Sequence, residues 1–306
     1  MNTIDTYVNA ATRENTQRSY RAAVEHFEVQ WGGLLPASGD TIARYLADHA
    51  SKLSINTLQQ RLAALASWHH DHGFADPTKA PLVRKVLKGI RSLHPSQQKQ
   101  ARPVQLEEVD QIVAWLDQMI LLATEHGRRP DALRHTRDRA LLLLGFWRGF
   151  RGDELTRLRV EHTEAVPGKG ISCFLPTSKG DRNAQGLTFK TPALQKLCPV
   201  DAYTAWTALS GIRDGPVFRA IDRWGNVSAE GLHINSLVPL LRALFLAAGI
   251  ASPNEYSGHS LRRGFATWAS SNGWDLKTLM EYVGWRDVQS AVRYLEAGER
   301  FGDMRR

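Results

Sequence analysis

The sequence predicts a mainly α-helical chain of two domains, with a small antiparallel β-sheet confined to the second. Three observations predict it. Apolar residues in the first hundred positions recur at helical spacing. A polar, aperiodic stretch from Ser92 to Arg102, containing Pro95, then interrupts the pattern. Beyond residue 160, three short apolar runs stand between Gly, Pro and Thr/Ser/Lys clusters, as strands do. These place a helical domain over 1–91, a linker over 92–103 and a second domain over 104–306. The 306 residues are 42% hydrophobic, enough to build real cores and too many for wholesale disorder.

In the first domain, Tyr20, Val24, Phe27 and Trp31 fall at i, i+4, i+7 and i+11, one face of a helix stopped by Gly32-Gly33. Ile42 and Leu46 mark a short helix after Asp40. Ser54 can cap a third, with Ile55, Leu58, Leu62 and Leu65 on its buried face and Gly73 closing it. Pro81 suits the first turn of a fourth, whose inward face is Val83, Val86, Leu87 and Ile90. Its other face carries Arg84, Lys85, Lys88 and Arg91, so an apolar stripe backs a basic one.

The second domain opens with helices over 107–123 and 133–148, the latter holding the apolar block Ala140 to Trp147 between Arg139 and Arg148. After the turn Arg148-Gly149-Phe150-Arg151-Gly152 comes a short helix over 153–158. Apolar runs near 164–166, 171–175 and 186–189 form the sheet. Helices return over about 200–210, 234–248, 260–271, 275–283 and 287–297. Asp275 and Asp287 are the N-caps of the last two, and Gly249, Gly273, Gly284 and Gly298 are stops.

Several function classes are excluded at once. Two cysteines, Cys173 and Cys198, cannot make a disulfide scaffold or a multi-Cys zinc site. No stretch approaches the roughly 18 apolar residues of a membrane span, and Asp5 and Glu14 without an apolar run argue against a signal peptide. The expectation is a cytoplasmic, nucleoid-associated protein with no membrane partner. His69-His70-Asp71-His72 resembles a metal cluster, but it closes a helix, where His favours the negative dipole end, and no second ligand group stands at a recognised spacing. HExxH, CxxC, a P-loop and a dinucleotide fingerprint are all missing from the sequence. No metal or other cofactor is expected.

The formal charge is +8, with 39 Lys+Arg against 31 Asp+Glu. Between Asp76 and Glu107 no acidic residue occurs, while Lys79, Arg84, Lys85, Lys88, Arg91, Lys99 and Arg102 do. Such a strip is either a solvated face or a surface that meets phosphates by counterion release; charge alone leaves both open.

The C-terminal third carries chemistry. His259-Ser260-Leu261-Arg262-Arg263-Gly264 is followed by Gly284-Trp285 and by Tyr294, nine residues after the Trp. His259 and Arg262, at i and i+3, share one face at a helix start. Far upstream stands Gly149-Phe150-Arg151-Gly152-Asp153-Glu154-Leu155, and Lys179 sits in a turn of the sheet. Two Arg, a Lys, a His and a late Tyr form a metal-free set for a phosphodiester. Arg clamps nonbridging oxygens in a forked geometry. Tyr offers a hydroxyl nucleophile whose resting pKa near 10 requires neighbouring cations or a base, and Lys can protonate a leaving oxygen.

At these residues the chain resembles the tyrosine recombinases, the phage-integrase family. The elements Arg151-Gly-Asp-Glu154-Leu, Lys179, His259-x-x-Arg262, Gly284-Trp285 and Tyr294 stand in family order. Asn15-Thr16, Tyr20, Phe27 and Trp31 look like the opening helix of the family's core-binding domain, and Val86 to Arg91 like its last helix, so nearly the whole chain is covered. The resemblance implies a core-binding domain over 1–91 and a recombinase catalytic domain over 104–306, without a separate arm-binding module. It implies that Tyr294 attacks the scissile phosphate, leaving a 3′-phosphotyrosyl enzyme and a free 5′-hydroxyl. Arg151 and Arg262 would hold the phosphate, Lys179 would protonate the departing oxygen, and His259 would take the Tyr proton or donate to the phosphate. Glu154 would orient the site from behind. The implied partners are a double-stranded recombination site with inverted repeats and three further copies of the chain, a homotetramer on two duplexes exchanging strands through a Holliday junction. Only 12 residues follow Tyr294, so a C-terminal contact on a neighbouring subunit is expected to be small or different.

Most members of the family carry His where this chain has Trp285; a Cre-like minority carries Trp. Indole has one N–H and no basic nitrogen, so Trp285 can donate to phosphate or pack against the Tyr294 helix, and base duty shifts towards His259. Tyr282 competes as nucleophile, but its place beside Val283 suggests packing. Lys169 competes with Lys179 from another turn. Arg263 points about 100° from Arg262 on a helix and is expected at a backbone phosphate, with Arg84, Lys85, Lys88, Arg91 and Lys99 as further DNA contacts. The alternatives are a type IB topoisomerase acting on a single duplex and a DNA-binding protein without catalysis.

Overall fold

The computed structural model describes residues 7, 14–95, 100–178, 185–285 and 287–292. The chain forms two compact units, Met1–Lys99 and Gln100–Arg306. The architecture is mainly helical with small antiparallel sheets, as the spacing of apolar residues predicts.

Among the described residues, the first unit is built from α1 (Glu14–Glu25), α2 (Gly39–His49), α3 (Ile55–Asp71) and α4 (Pro81–Leu93). Helix α1 packs on α3 and α2 on α4. Phe27, Tyr45, Leu46, Leu58, Leu65 and Val83 are among the side chains that fill the core. A π-helical turn, His26–Gln30, extends α1 and brings Phe27 inward. The chain then reverses at Gly32, whose φ of +80° suits glycine, and at Gly33, where any Cβ would run into the Phe27 ring. Helix α2 starts slightly earlier than expected, at Gly39 rather than after Asp40, with Ser38 as its cap, Oγ accepting from Thr41 N at 3.2 Å. Ser54 caps α3 in the same way; such a cap is worth about 1 kcal/mol. The histidine run at the end of α3 is structural. His69 is buried, its Nδ1–H donating to Leu65 O at 2.7 Å and its Nε2 accepting from Ala37 N at 2.9 Å. Among the described residues no group of His, Cys, Asp or Glu is placed to hold a metal ion, and no helix is long and apolar enough to cross a membrane.

The second unit is organised around α6 (Arg129–Arg148), on which α5 (Leu106–Glu125), α8 (Pro199–Ser210) and α10 (Ser260–Ser271) pack. Every residue from Ala140 to Arg148 is buried, which explains why the block Ala140 to Trp147 is apolar all round rather than amphipathic. The short α7 (Gly152–Thr156) follows, then strands β1 (Thr163–Val166), β2 (Gly170–Leu175) and β3 (Leu187–Pro192), in that order and antiparallel. Cys173 pairs with Phe189, and Ile171, Cys173, Leu175 and Phe189 make the inner face. A second hairpin, β4 (Arg219–Ile221) with β5 (Val227–Gly231), has no counterpart in the sequence reading. Its strands are short and carry Arg, Ser and Glu without alternation, so period two is invisible. Helices α9 (Ile234–Ala247), α10, α11 (Leu276–Val283) and α12 (Val288–Val292) follow among the described residues. Asp275 caps α11 through Thr278 N at 2.9 Å, and Gly284 ends it at φ +74°.

Part of the stretch read as linker belongs structurally to this second unit. Arg102 N donates to Glu255 O at 3.1 Å and Val104 N to Ser260 O at 3.2 Å. The Arg102 guanidinium reaches Glu108 Oε1 at 2.6 Å. Gly264 of α10 lies so close to the Val104 carbonyl that a side chain there would collide with it.

Candidate active site

The site begins where α6 stops. Gly149 takes the left-handed conformation at φ +60° and turns the chain out of the buried helix. Two residues later Arg151 stands at the N-cap of α7. The Glu154 carboxylate reaches back across that first turn: Oε2 accepts from Arg151 N at 2.9 Å and Oε1 from Arg151 Nη1 at 2.6 Å. Glu154 is 1% exposed, so its charge is compensated within the protein.

The compensation has a second source. Arg262, on the first turn of α10 and equally buried, places Nη1 3.9 Å from Glu154 Oε2 and donates to Gly149 O at 2.6 Å. Its guanidinium also lies over the Trp285 ring, 5.0 Å from the centroid. Arg151, Glu154, Arg262 and Trp285, widely separated in sequence, are thus contiguous. His259 is the N-cap residue of α10, exposed, three residues before Arg262; its backbone N–H donates to Ser257 Oγ at 3.2 Å. The preceding Gly258 is close to Gly152, whose added Cβ would lie 4.0 Å from the Gly258 Cα. Tyr294, Lys179 and Lys99 lie outside the described residues.

Tyr282 is half-buried. Its hydroxyl donates to Trp147 O at 2.9 Å and its ring stacks on Phe265 at 5.1 Å between centroids. Burial pushes its pKa up, away from what a nucleophile needs. Arg263 is 8% exposed, and its Nη1 donates to Gln100 Oε1 at 2.5 Å. The expectation of a backbone-phosphate contact put this cation on the surface; the fold turns it inward, because α10 is covered on that side by residues 100–104. On α4 the sequence pattern is realised: Val83 and Ile90 are buried while Arg84, Lys85, Lys88 and Arg91 are exposed.

One residue was missed by sequence reasoning. Arg148, read as the charged end of the buried helix, is itself 6% exposed. Its guanidinium lies between two rings, 4.2 Å from the Tyr282 centroid and 4.7 Å from that of Phe189, and Nη1 donates to Tyr282 O. Burial lowers its pKa to about 10 against the opposing pull of the Glu154 carboxylate, so it stays charged at neutral pH. The available signal was an arginine continuing an uninterrupted apolar run. Arg148, Arg151 and Arg262 thus bring three guanidinium groups to a region whose buried carboxylate is Glu154. That excess of fixed positive charge suits a phosphodiester anion.

The phage integrase family profile matches residues 232–300, which include the His259–Arg262 turn and Trp285. Over 299 residues the chain is 30% identical to an integrase/recombinase XerD homolog of Selenomonas ruminantium, covering 95% of this chain and 84% of that protein. The chain belongs to the phage integrase family of tyrosine recombinases. This recombinase is also 29% identical over 302 residues to tyrosine recombinase XerD of Brucella abortus (92% and 86% covered) and 24% identical over 294 residues to the recombinase Cre of Escherichia phage P1 (91% and 80%). Its fold is shared with a XerH site-specific recombinase bound to palindromic difH substrate in a post-cleavage complex, at TM-score 0.62 and 17% identity over 90% of this chain and 75% of that one. A lambda integrase dimer bound to a COC′ core site matches at TM-score 0.59 and 13% identity, over 97% and 75%.

Proposed function

We propose that this chain is a site-specific DNA recombinase that cuts and rejoins DNA through a 3′-phosphotyrosyl intermediate and exchanges strands between two duplexes. The observation that carries the reading is the Glu154 carboxylate joining Arg151 to Arg262 beside Trp285, a fixed cationic cradle assembled from three distant motifs. In this scheme the Tyr294 hydroxyl oxygen attacks the scissile phosphorus as the bond to the 5′-oxygen breaks. His259 receives the Tyr proton, and Lys179 delivers a proton to the departing 5′-oxygen. Arg151 and Arg262 hold the nonbridging oxygens, whose negative charge rises in the transition state. Religation reverses the steps with a 5′-hydroxyl from the partner duplex. The phosphotyrosine keeps the energy of the broken bond, so neither nucleotide nor metal is consumed.

The same reading assigns DNA core binding to residues 1–91 and catalysis to 104–306, with Arg84, Lys85, Lys88, Arg91 and Lys99 on the duplex backbone. It includes a homotetramer on two inverted-repeat sites, joined transiently by a Holliday junction, and a place on the nucleoid in the cytoplasm. A nicked suicide duplex, which loses a short fragment after cleavage, tests the chemistry. A covalent protein–DNA adduct supports it, and binding without an adduct leaves a DNA-binding protein. Strand exchange between two labelled duplexes separates a recombinase from a topoisomerase-like enzyme confined to one.

A further inference from the structure

We infer that Arg148 is a positioning residue for strand cleavage, a buried cation clamped between Phe189 and Tyr282 that fixes three catalytic segments against one another. The inference rests on the recombinase reading above. Each contact of the guanidinium belongs to a different segment. Arg148 itself ends α6, three residues before Arg151. Phe189 lies on β3, the strand that follows the connection carrying Lys179 in the sequence. Tyr282 lies near the end of α11, three residues before Trp285. The neighbouring contacts run between the same pieces: the Tyr282 hydroxyl donates to Trp147 O at 2.9 Å and lies 3.4 Å from Thr191 Oγ1, while Phe150 meets Phe189 edge-on at 5.2 Å.

A guanidinium is unusual as core filler. Removing a cation from water costs several kcal/mol unless it is paired, and among the described residues no carboxylate forms an ion pair with Arg148. Its Nε, also buried, has no hydrogen-bond partner among them. An unbranched apolar side chain of similar length would fill the space without that cost. What only a planar cation provides is two faces for two rings and in-plane N–H groups for the Tyr282 carbonyl. At 6% exposed, Arg148 acts through the groups it holds.

The test is single-turnover cleavage of a nicked suicide duplex by Arg148→Met, Arg148→Lys and Phe189→Leu, with duplex affinity and melting temperature measured on the same samples. Arg148→Met keeps the volume and removes the charge. Without the clamp, cleavage is expected to slow by about 10–100-fold with affinity and melting temperature held or improved. Arg148→Lys, which keeps the charge and one cation–π face, is expected to fall between Met and wild type. Phe189→Leu removes one ring, leaves the charge, and is expected to slow cleavage without weakening binding. Wild-type rates in Arg148→Met overturn the inference. Should that variant fail to fold, wild-type rates in both Arg148→Lys and Phe189→Leu overturn it. A wild-type chain that forms no adduct sinks the parent reading and this inference with it, whereas an active wild type with unaffected variants sinks this inference alone.

Discussion

Glu154 holds Arg151 twice, by its backbone N–H and by its guanidinium, so one carboxylate sets both where the chain turns into α7 and where the arginine points. The carboxylate also faces Arg262. It therefore organises two cations without having to touch the phosphate they would bind.

Glu154→Gln keeps the shape and removes the charge. A buried, charge-assisted interaction is weakened on each arginine, at a stability cost of about 1–3 kcal/mol. Cleavage in a single turnover is expected to fall by about 10–100-fold while duplex binding persists. A variant that cleaves as fast as wild type removes Glu154 from this role.

Two tyrosines separate cleanly. Tyr294→Phe loses only a hydroxyl and is expected to abolish the covalent adduct with binding nearly intact. Tyr282→Phe loses its bond to Trp147 O, worth about 1 kcal/mol, and should still form the adduct. Denaturing gels of suicide-substrate reactions give the answer; an adduct from the Tyr294 variant would reassign the nucleophile.

The exposed face of α4 offers a thermodynamic test. Replacing Lys85, Lys88 and Arg91 with Ala is expected to weaken duplex binding and to flatten the plot of log K against log salt. The slope should change by about 0.9 for each phosphate the protein no longer neutralises. An unchanged slope would mean that this face meets solvent alone.

Trp285 is 6% exposed with the Arg262 guanidinium over its ring. A phenyl ring preserves that stacking and the packing; imidazole is smaller and more polar. Trp285→Phe is therefore expected to retain more cleavage activity than Trp285→His. If the indole N–H instead donates to the scissile phosphate, Phe loses a preorganised donor and falls below His by tenfold or more (about 10²–10³ for a full oxyanion donor). The relative single-turnover rates decide.

Helices were legible because their signal is local. The face Tyr20–Val24–Phe27–Trp31, the Ser54 cap and the Gly284 stop each lie within a few turns of the residues they explain. The candidate-site motifs were legible for a different reason: Arg151, His259, Arg262 and Trp285 stand in a recognisable order. Their convergence on Glu154 was not, since the approach of residue 262 to residue 154 is a property of the folded chain. The β4–β5 hairpin escaped because its strands do not alternate. Its turn is held by Asp222, which accepts from Trp224 N and Asn226 N. Arg148 escaped because the apolar run leading into it shows only that it borders a buried block; its two ring partners, Phe189 and Tyr282, lie far away in the sequence.

The strand of backbone that crosses α10 determines where this protein can be divided. From Gln100 onward the chain is held: Gln100 receives Arg263, Arg102 bonds to Glu108 and to the Glu255 carbonyl, and Val104 seals against Ser260 and Gly264. A fragment of the second unit begun at residue 104, where the sequence pattern starts the second domain, takes the Gln100 acceptor away from buried Arg263 and the Arg102 cation away from Glu108. One begun upstream of Gln100 keeps that edge of the Arg262 helix dressed. Residues 100–103 therefore belong with the second unit, and a cut or insertion among them separates Arg263 and Glu108 from the partners that hold them.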